Sequence, residues 1–166
     1  MACSSDITAG RTRECKGSLG GLSKIYLFNN VEDPFTYANS IATAINPALT
    51  TVYEYDLEGD GNNVSEVEVP DRNTGTTVNT QTITLVLKKI SATTSNQMNL
   101  LAKSYPMAVA KDRNGVYHAL GIDDGIDFTV NQSTGGAKTE LNGYTLTGVS
   151  TTGSLSPKLD GATITA

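Results

Sequence analysis

The chain is short of the residues that most chemistry needs. It has no tryptophan, one histidine (His118), two cysteines (Cys3 and Cys15), and only 17% charged residues in 166. A single histidine leaves few Ser–His–acid triads to build, and no Gly-x-Ser-x-Gly elbow is present. The lack of tryptophan argues against a sugar-binding surface of clustered aromatics. Two cysteines are too few for a disulfide framework. They stand close enough in sequence to pair, but reduced thiols in a cytoplasmic product are the expectation. The longest apolar run, Ile25-Tyr-Leu-Phe28, is far too short to span a bilayer, so no membrane partner is expected. The N-terminal stretch has no apolar core of the kind a secretory signal carries.

What is abundant is Thr, Ser, Asn and Gly, with 16 glycines. These are strand and turn residues, so the composition predicts a mainly β fold. Tyr, Ile, Val and Leu recur throughout and the net charge is only −5, which excludes a disordered chain. A pI near 4.7 argues against gripping nucleic acid, which needs Lys and Arg to displace counterions. It does not exclude a conduit that DNA merely passes, since an acidic lining repels phosphate.

Along the chain, residues 1–21 read as an N-terminal arm, flexible alone and ordered against a neighbour. A β-rich domain follows over 22–149, and 150–166 reads as a C-terminal arm. Strands are expected at Leu22–Phe28, Thr51–Leu57, Val64–Val69 and Gln81–Lys89. In the third, Glu66 and Glu68 are placed outward and Val67 and Val69 inward. Asp33–Pro47 is ambiguous: Tyr37, Ile41 and Ile45 recur every four residues, so we expect a loop with a helical turn. Pro70–Thr77 reads as a long polar loop. One helix is expected at about 94–105, capped by Thr94 or Ser95, with a stripe of Met98, Leu101, Ala102 and Tyr105, and stopped by Pro106. Two hairpins complete the domain. Met107–Leu120 turns at Asn114-Gly115, the type I′ signal. Ile126–Val130 loops through 131–138 and returns along Gly143–Val149. The expected architecture is a β-sandwich or barrel of about eight strands with one short flanking helix.

Four stretches invite a functional reading. Asp56, Glu58 and Asp60 with Gly61 mimic the start of a calcium loop, but position twelve is Val67 where a bidentate Glu is required, so a hairpin turn is the expectation. Asp123, Asp124 and Asp127 cluster beside glycines and read as a solvated turn. His118 lies on a hairpin strand with no partner in view. Thr134-Gly-Gly-Ala-Lys138 has the wrong spacing for a phosphate loop. No catalytic, cofactor-binding or metal residues are expected, and the chain is not expected to be an enzyme.

Cys15-Lys16 with Gly20-Gly21 and Ile25-Tyr26-Leu27 resembles the opening of small virion proteins encoded by phages of Bacteroides and its relatives, including crAss-like phages. Asp112-Arg-Asn-Gly115 followed by Gly121, and Thr134–Lys138 through Leu141-Asn-Gly-Tyr144, resemble the later part of the same proteins. The order of strands, one short helix and hairpins is also similar to the tail-tube fold of long-tailed phages and type VI secretion tubes. These resemblances imply a virion protein, assembled in the host bacterial cytoplasm. It would be a subunit of a tail tube or of a neck or tail ring. Its partners would be copies of itself, in a hexamer or higher ring, and adjoining tail, neck or capsid proteins. DNA would be passing cargo without specific binding. The arms would hook neighbouring subunits, and the loop 58–80 would contact the next ring. A capsid decoration protein, or a host- or carbohydrate-binding β-module, is the alternative.

Overall fold

A computed structural model describes residues 7–38, 41–47 and 49–159. Among them the fold is mainly β: eleven strands in two sheets and one short helix, with neither sheet closed into a barrel. The strands are β1 (Leu22–Phe28), β2 (Phe35–Ala38), β3 (Ile41–Ile45), β4 (Tyr53–Asp56), β5 (Asn63–Asp71) and β6 (Thr76–Lys88). After α1 (Ala92–Leu101) come β7 (Met107–Asp112), β8 (Tyr117–Leu120), β9 (Asp127–Ser133), β10 (Gly143–Thr152) and β11 (Lys158–Leu159). The larger sheet has the order β2-β3-β11-β8-β7-β1-β4, and the smaller β5-β6-β10-β9. All pairings are antiparallel except β11 with β3.

The main core lies between the sheets. Ile25 and Leu27 on β1, Ala108 and Ala110 on β7, and Leu120 on β8 meet Ile83 and Leu85 on β6, Phe128 on β9, and Tyr144 and Leu146 on β10. The alternate residues of the same large-sheet strands, Tyr26, Phe28, Met107, Val109 and Ala119, form a second cluster with Phe35, Ala42 and Leu159. Strands β1 and β7 are therefore buried on both faces, which is why Ile25–Phe28 and Met107–Ala110 are unbroken apolar runs. A bulge at Ser23 sets the phase: the register slips between Leu22 and Lys24, so Leu22 joins the same core as Ile25.

Several expectations are corrected. The Asp33–Pro47 stretch contains β2 and β3, not a helical turn. A spacing of four is also an even spacing, so it cannot separate a helix from a strand of period two. Pro70–Thr77 is not a long loop, because the ladder runs on through Pro70–Thr77 and Asp71–Thr76. The turn is closed by the Gly75 amide on the Asp71 carbonyl, and the Asp71 carboxylate accepts the Asn73 amide at 2.8 Å. The stretch between Leu57 and Val64 is no hairpin turn, since β4 belongs to one sheet and β5 to the other. At Asn114-Gly115 only the glycine has positive φ. The Gly115 amide donates to the Asp112 carbonyl and the Asp112 amide to the Val116 carbonyl, giving a three-residue loop with a left-handed glycine rather than a type I′ turn. The expected C-terminal arm loses residues 150–159 to the body: β10 runs to Thr152 and β11 is inserted between β8 and β3. Residues 160–166 lie outside the described residues. Residues 7–20 carry no strand or helix.

The helix begins earlier and ends earlier than its stripe suggests. Ser91 is the cap, its hydroxyl accepting the Thr94 amide at 3.1 Å, and Thr94 and Ser95 fall in the first turn. Beyond Leu101 the chain tightens, with the Lys103 and Ser104 amides reaching back only three residues. Met98 alone is fully buried and Tyr105 is exposed. The helix is tied down by Tyr144, whose hydroxyl donates to the Ser91 carbonyl at 3.2 Å and shares a hydrogen bond with Ser95 at 2.6 Å.

The entry to β10 leaves no room for a side chain. A Cβ on Gly143 would stand 2.1 Å from the Leu87 carbonyl oxygen, whereas one on Gly153 would meet nothing within 4 Å. Gly143→Ala is therefore expected to lower the unfolding free energy by about 1–3 kcal/mol in a urea titration, while Gly153→Ala leaves it near wild type.

Candidate functional site

Strand β6 places its odd-numbered residues toward the large sheet. Ile83 and Leu85 are apolar, but Asn79 and Gln81 continue the same row and are fully buried. Across the ladder, Glu66 pairs with Gln81 and Glu68 with Asn79. This reverses the expected phase of β5. The Glu66 side chain is 12% exposed while Val67 and Val69 are 55% and 58% exposed. Its alternation of Glu and Val has the right period but does not say which set faces in. The polar row on β6 decides it, because a buried amide is satisfied by a carboxylate opposite and not by a valine.

The Glu66 carboxylate gathers the end of the chain around it. It accepts from Asn79 Nδ2 at 2.9 Å, from the Ser156 amide at 2.7 Å, and from the Ser156 hydroxyl. Lys158 Nζ stands 4.0 Å away and donates to the Ser156 carbonyl and hydroxyl. Burial pushes the Glu66 carboxyl up. The hydrogen bonds from Ser156 and Asn79 and the charge of Lys158 outweigh it and hold the group below its ordinary range. Burial in turn pulls the Lys158 ammonium down, against the charges of Glu66 and Asp112. Gln81 bridges the sheets, its Oε1 accepting the Gly121 amide at 2.9 Å. Asn79 also donates to the Ser154 carbonyl at 2.8 Å, while its own Oδ1 and the Ser150 hydroxyl have no partner among the described residues.

Beside this network a cavity of about 710 Å3 opens to solvent. Its walls are Tyr37 on β2, Ile122 and Asp123 after β8, Glu68 and Gln81 on the small sheet, and the segment from Thr152 to Lys158. Leu155 and Tyr37 are exposed at its mouth.

Of the stretches singled out in the sequence, Asp123 lines this cavity and His118 pairs with Lys158 across the β8–β11 ladder, while the others lie apart from it. Asp56 meets Lys24 at 3.1 Å, Glu58 meets Lys88 at 3.4 Å and Asp60 meets Arg113 at 3.4 Å. The three carboxylates thus point to three different cations. The crossover they occupy is pinned by the buried Asn62, whose Oδ1 accepts the Val86 amide at 2.8 Å while its carbonyl accepts the Leu22 amide. Asp123 and Asp124 are exposed in the turn 121–125, which the Gly125 amide closes on the Gly121 carbonyl; Asp127 is exposed at the start of β9. His118 Nε2 lies 3.4 Å from the Asp112 carboxylate, which also accepts the Asn114 and Val116 amides at 2.8 and 2.9 Å. The amides of Gly136 and Ala137 form a small anion cradle, but the carboxylate of Glu140 fills it. Cys15 is free and exposed; Cys3 lies outside the described residues. Among the described residues no three His, Cys, Asp or Glu side chains converge as a metal site, and no helix is long and apolar enough to cross a membrane.

The other face of the small sheet is of a different kind. It carries Thr80, Thr82, Thr84 and Val86 from β6, Thr145, Thr147, Val149 and Thr151 from β10, Ser65, Val67 and Val69 from β5, and Thr129 and Asn131 from β9. Its only charges, Asp71, Lys88 and Asp127, stand at its margins. No protein-family model matches the chain, and no curated protein or solved structure shows significant similarity to it.

Because Glu66 has a lowered pKa in the folded protein, its contribution is complete above the ordinary value of about 4.5 and is lost as the pH falls through the lowered value. Glu66→Gln is expected to cost about 2 kcal/mol at pH 7. It also makes the decline of stability between pH 5 and 3 shallower, measured by urea unfolding at several pH values.

Proposed function

We propose that the protein is a structural subunit of a bacteriophage virion, part of a tail tube or of a neck or tail ring through which DNA passes. The virion assignment comes from the residues that resemble phage proteins. The ring reading is carried by one observation: the small sheet ends in two unlike open edges, β5 and β9. An unpaired edge is a template for another strand. When the two edges differ, β9 of one copy meets β5 of the next in a head-to-tail contact, and such contacts close into a ring by rotation.

A ring built this way continues the small sheet from copy to copy, and its uncharged Thr- and Val-rich face lines the lumen. Such a lining offers DNA no counterion release, so it holds no phosphate and does not slow the strand's passage. This differs from the acidic lining that the overall charge alone suggests, because the carboxylates are placed elsewhere on the body.

Purified full-length protein is expected to form rings or short tubes in negative-stain electron microscopy, with a hole that admits a duplex and a matching mass by light scattering. Monomers or trimers at high concentration would overturn this reading in favour of a capsid-surface protein. A second test addresses the face. Thr82→Arg with Thr147→Arg should make the rings retain duplex DNA at low salt and release it as salt rises. Rings of this variant that ignore DNA would place the face away from the lumen.

A further inference from the structure

We infer that the cavity beside the Glu66 network is the socket for the basic N-terminal segment of a second copy of the chain, centred on Arg11 and Arg13. This rests on the ring reading and names the contact that locks adjoining copies. The segment 7–20 carries three cations, Arg11, Arg13 and Lys16, against one carboxylate, Glu14, on a chain whose net charge is −5. It is exposed throughout: the Arg11 side chain is 83% exposed and held only by a loose 3.7 Å contact with Glu14. Ile7 is an isolated apolar side chain in water.

The cavity offers the complementary chemistry. Glu68 and Asp123 face it, and neither has a cationic partner among the described residues. Its one lysine, Lys158, is engaged with Ser156 and Glu66. The mouth is apolar, with Tyr37, Ile122 and Leu155. Surface ion pairs alone contribute little, so a socket needs both kinds of wall. Guanidinium groups would meet the two free carboxylates while their stems and Ile7 cover Tyr37 and Leu155. A volume of about 710 Å3 lies within the range that buries a compact ligand or a few peptide side chains. Glu66, by fixing Ser156 and Lys158, holds the wall in place.

The test uses full-length protein lacking its native thiols (Cys3→Ala, Cys15→Ser). Thr12→Cys is placed in one sample and Leu155→Cys in another. Mixed under mild oxidation, the two are expected to give a disulfide-linked heterodimer, and a chain carrying both cysteines a ladder of linked copies. Arg11→Glu with Arg13→Glu, or Glu68→Lys with Asp123→Lys, should each cut the linkage at least tenfold, and mixing the two charge-reversed proteins should restore it. All four charge positions are exposed, and circular dichroism checks that each variant is folded. A doubly substituted chain that closes on itself as a monomer would overturn the inference. Wild-type rings with no cross-link and no response to charge reversal would also overturn it while leaving the ring reading intact. A wild-type protein that stays monomeric would remove both.

Discussion

Glu66 is placed where a carboxylate costs a fold most, on the inner face of a strand with its side chain largely out of water. Desolvation by itself would drive the group to protonate or the strand to turn over. Neither happens, because Asn79 on β6 and the pair Ser156 and Lys158 near the end of the chain are brought to it. The dependence is mutual. Without Glu66, Ser156 and Lys158 lose their anchor, and β11 holds the large sheet only through a two-residue pairing with β8 and β3. The ionic group therefore stitches the last described strand to the small sheet, at the end of the sandwich where the apolar core runs out.

That division of the interior explains the surface. The apolar half of the space between the sheets is closed by β1, β7, β6 and β10, with α1 laid over one end and tied by Tyr144. The polar half is left ajar, and the cavity results. The small sheet meanwhile stops at β5 and β9, each paired with a strand on one side only. A single copy thus keeps an open polar cavity, two edge strands on its small sheet and an exposed basic segment. Each is a cost to an isolated chain and an asset to an assembling one.

Much of the fold was legible in the residues. Leu22–Phe28, the inward phase of Ile83 and Leu85, and the two late hairpins follow from alternation and turn chemistry. The errors have physical causes. Tyr37, Ile41 and Ile45 fit two periods at once. Asp71 and Gly75 make a tight turn out of a stretch whose polarity suggested a loop. The phase of Glu66 against Val67 depends on Asn79 and Gln81, thirteen and fifteen residues away. Polar residues on the inward row of β6 were the available signal for the polar network. Ser156 and Lys158 gave none, since a tail of Ser, Thr and Gly carries no period to mark a two-residue strand.

The central claim is that the small sheet continues across copies through β5 and β9. Amide hydrogen exchange on the full-length protein, at the concentration where it is assembled, tests this most directly. The account predicts that amides throughout β5 and β9 are protected to the level of β6 and β10, and that dilution into monomers exposes every second one on the open side. Fast exchange along those open sides in the assembled particle would contradict it.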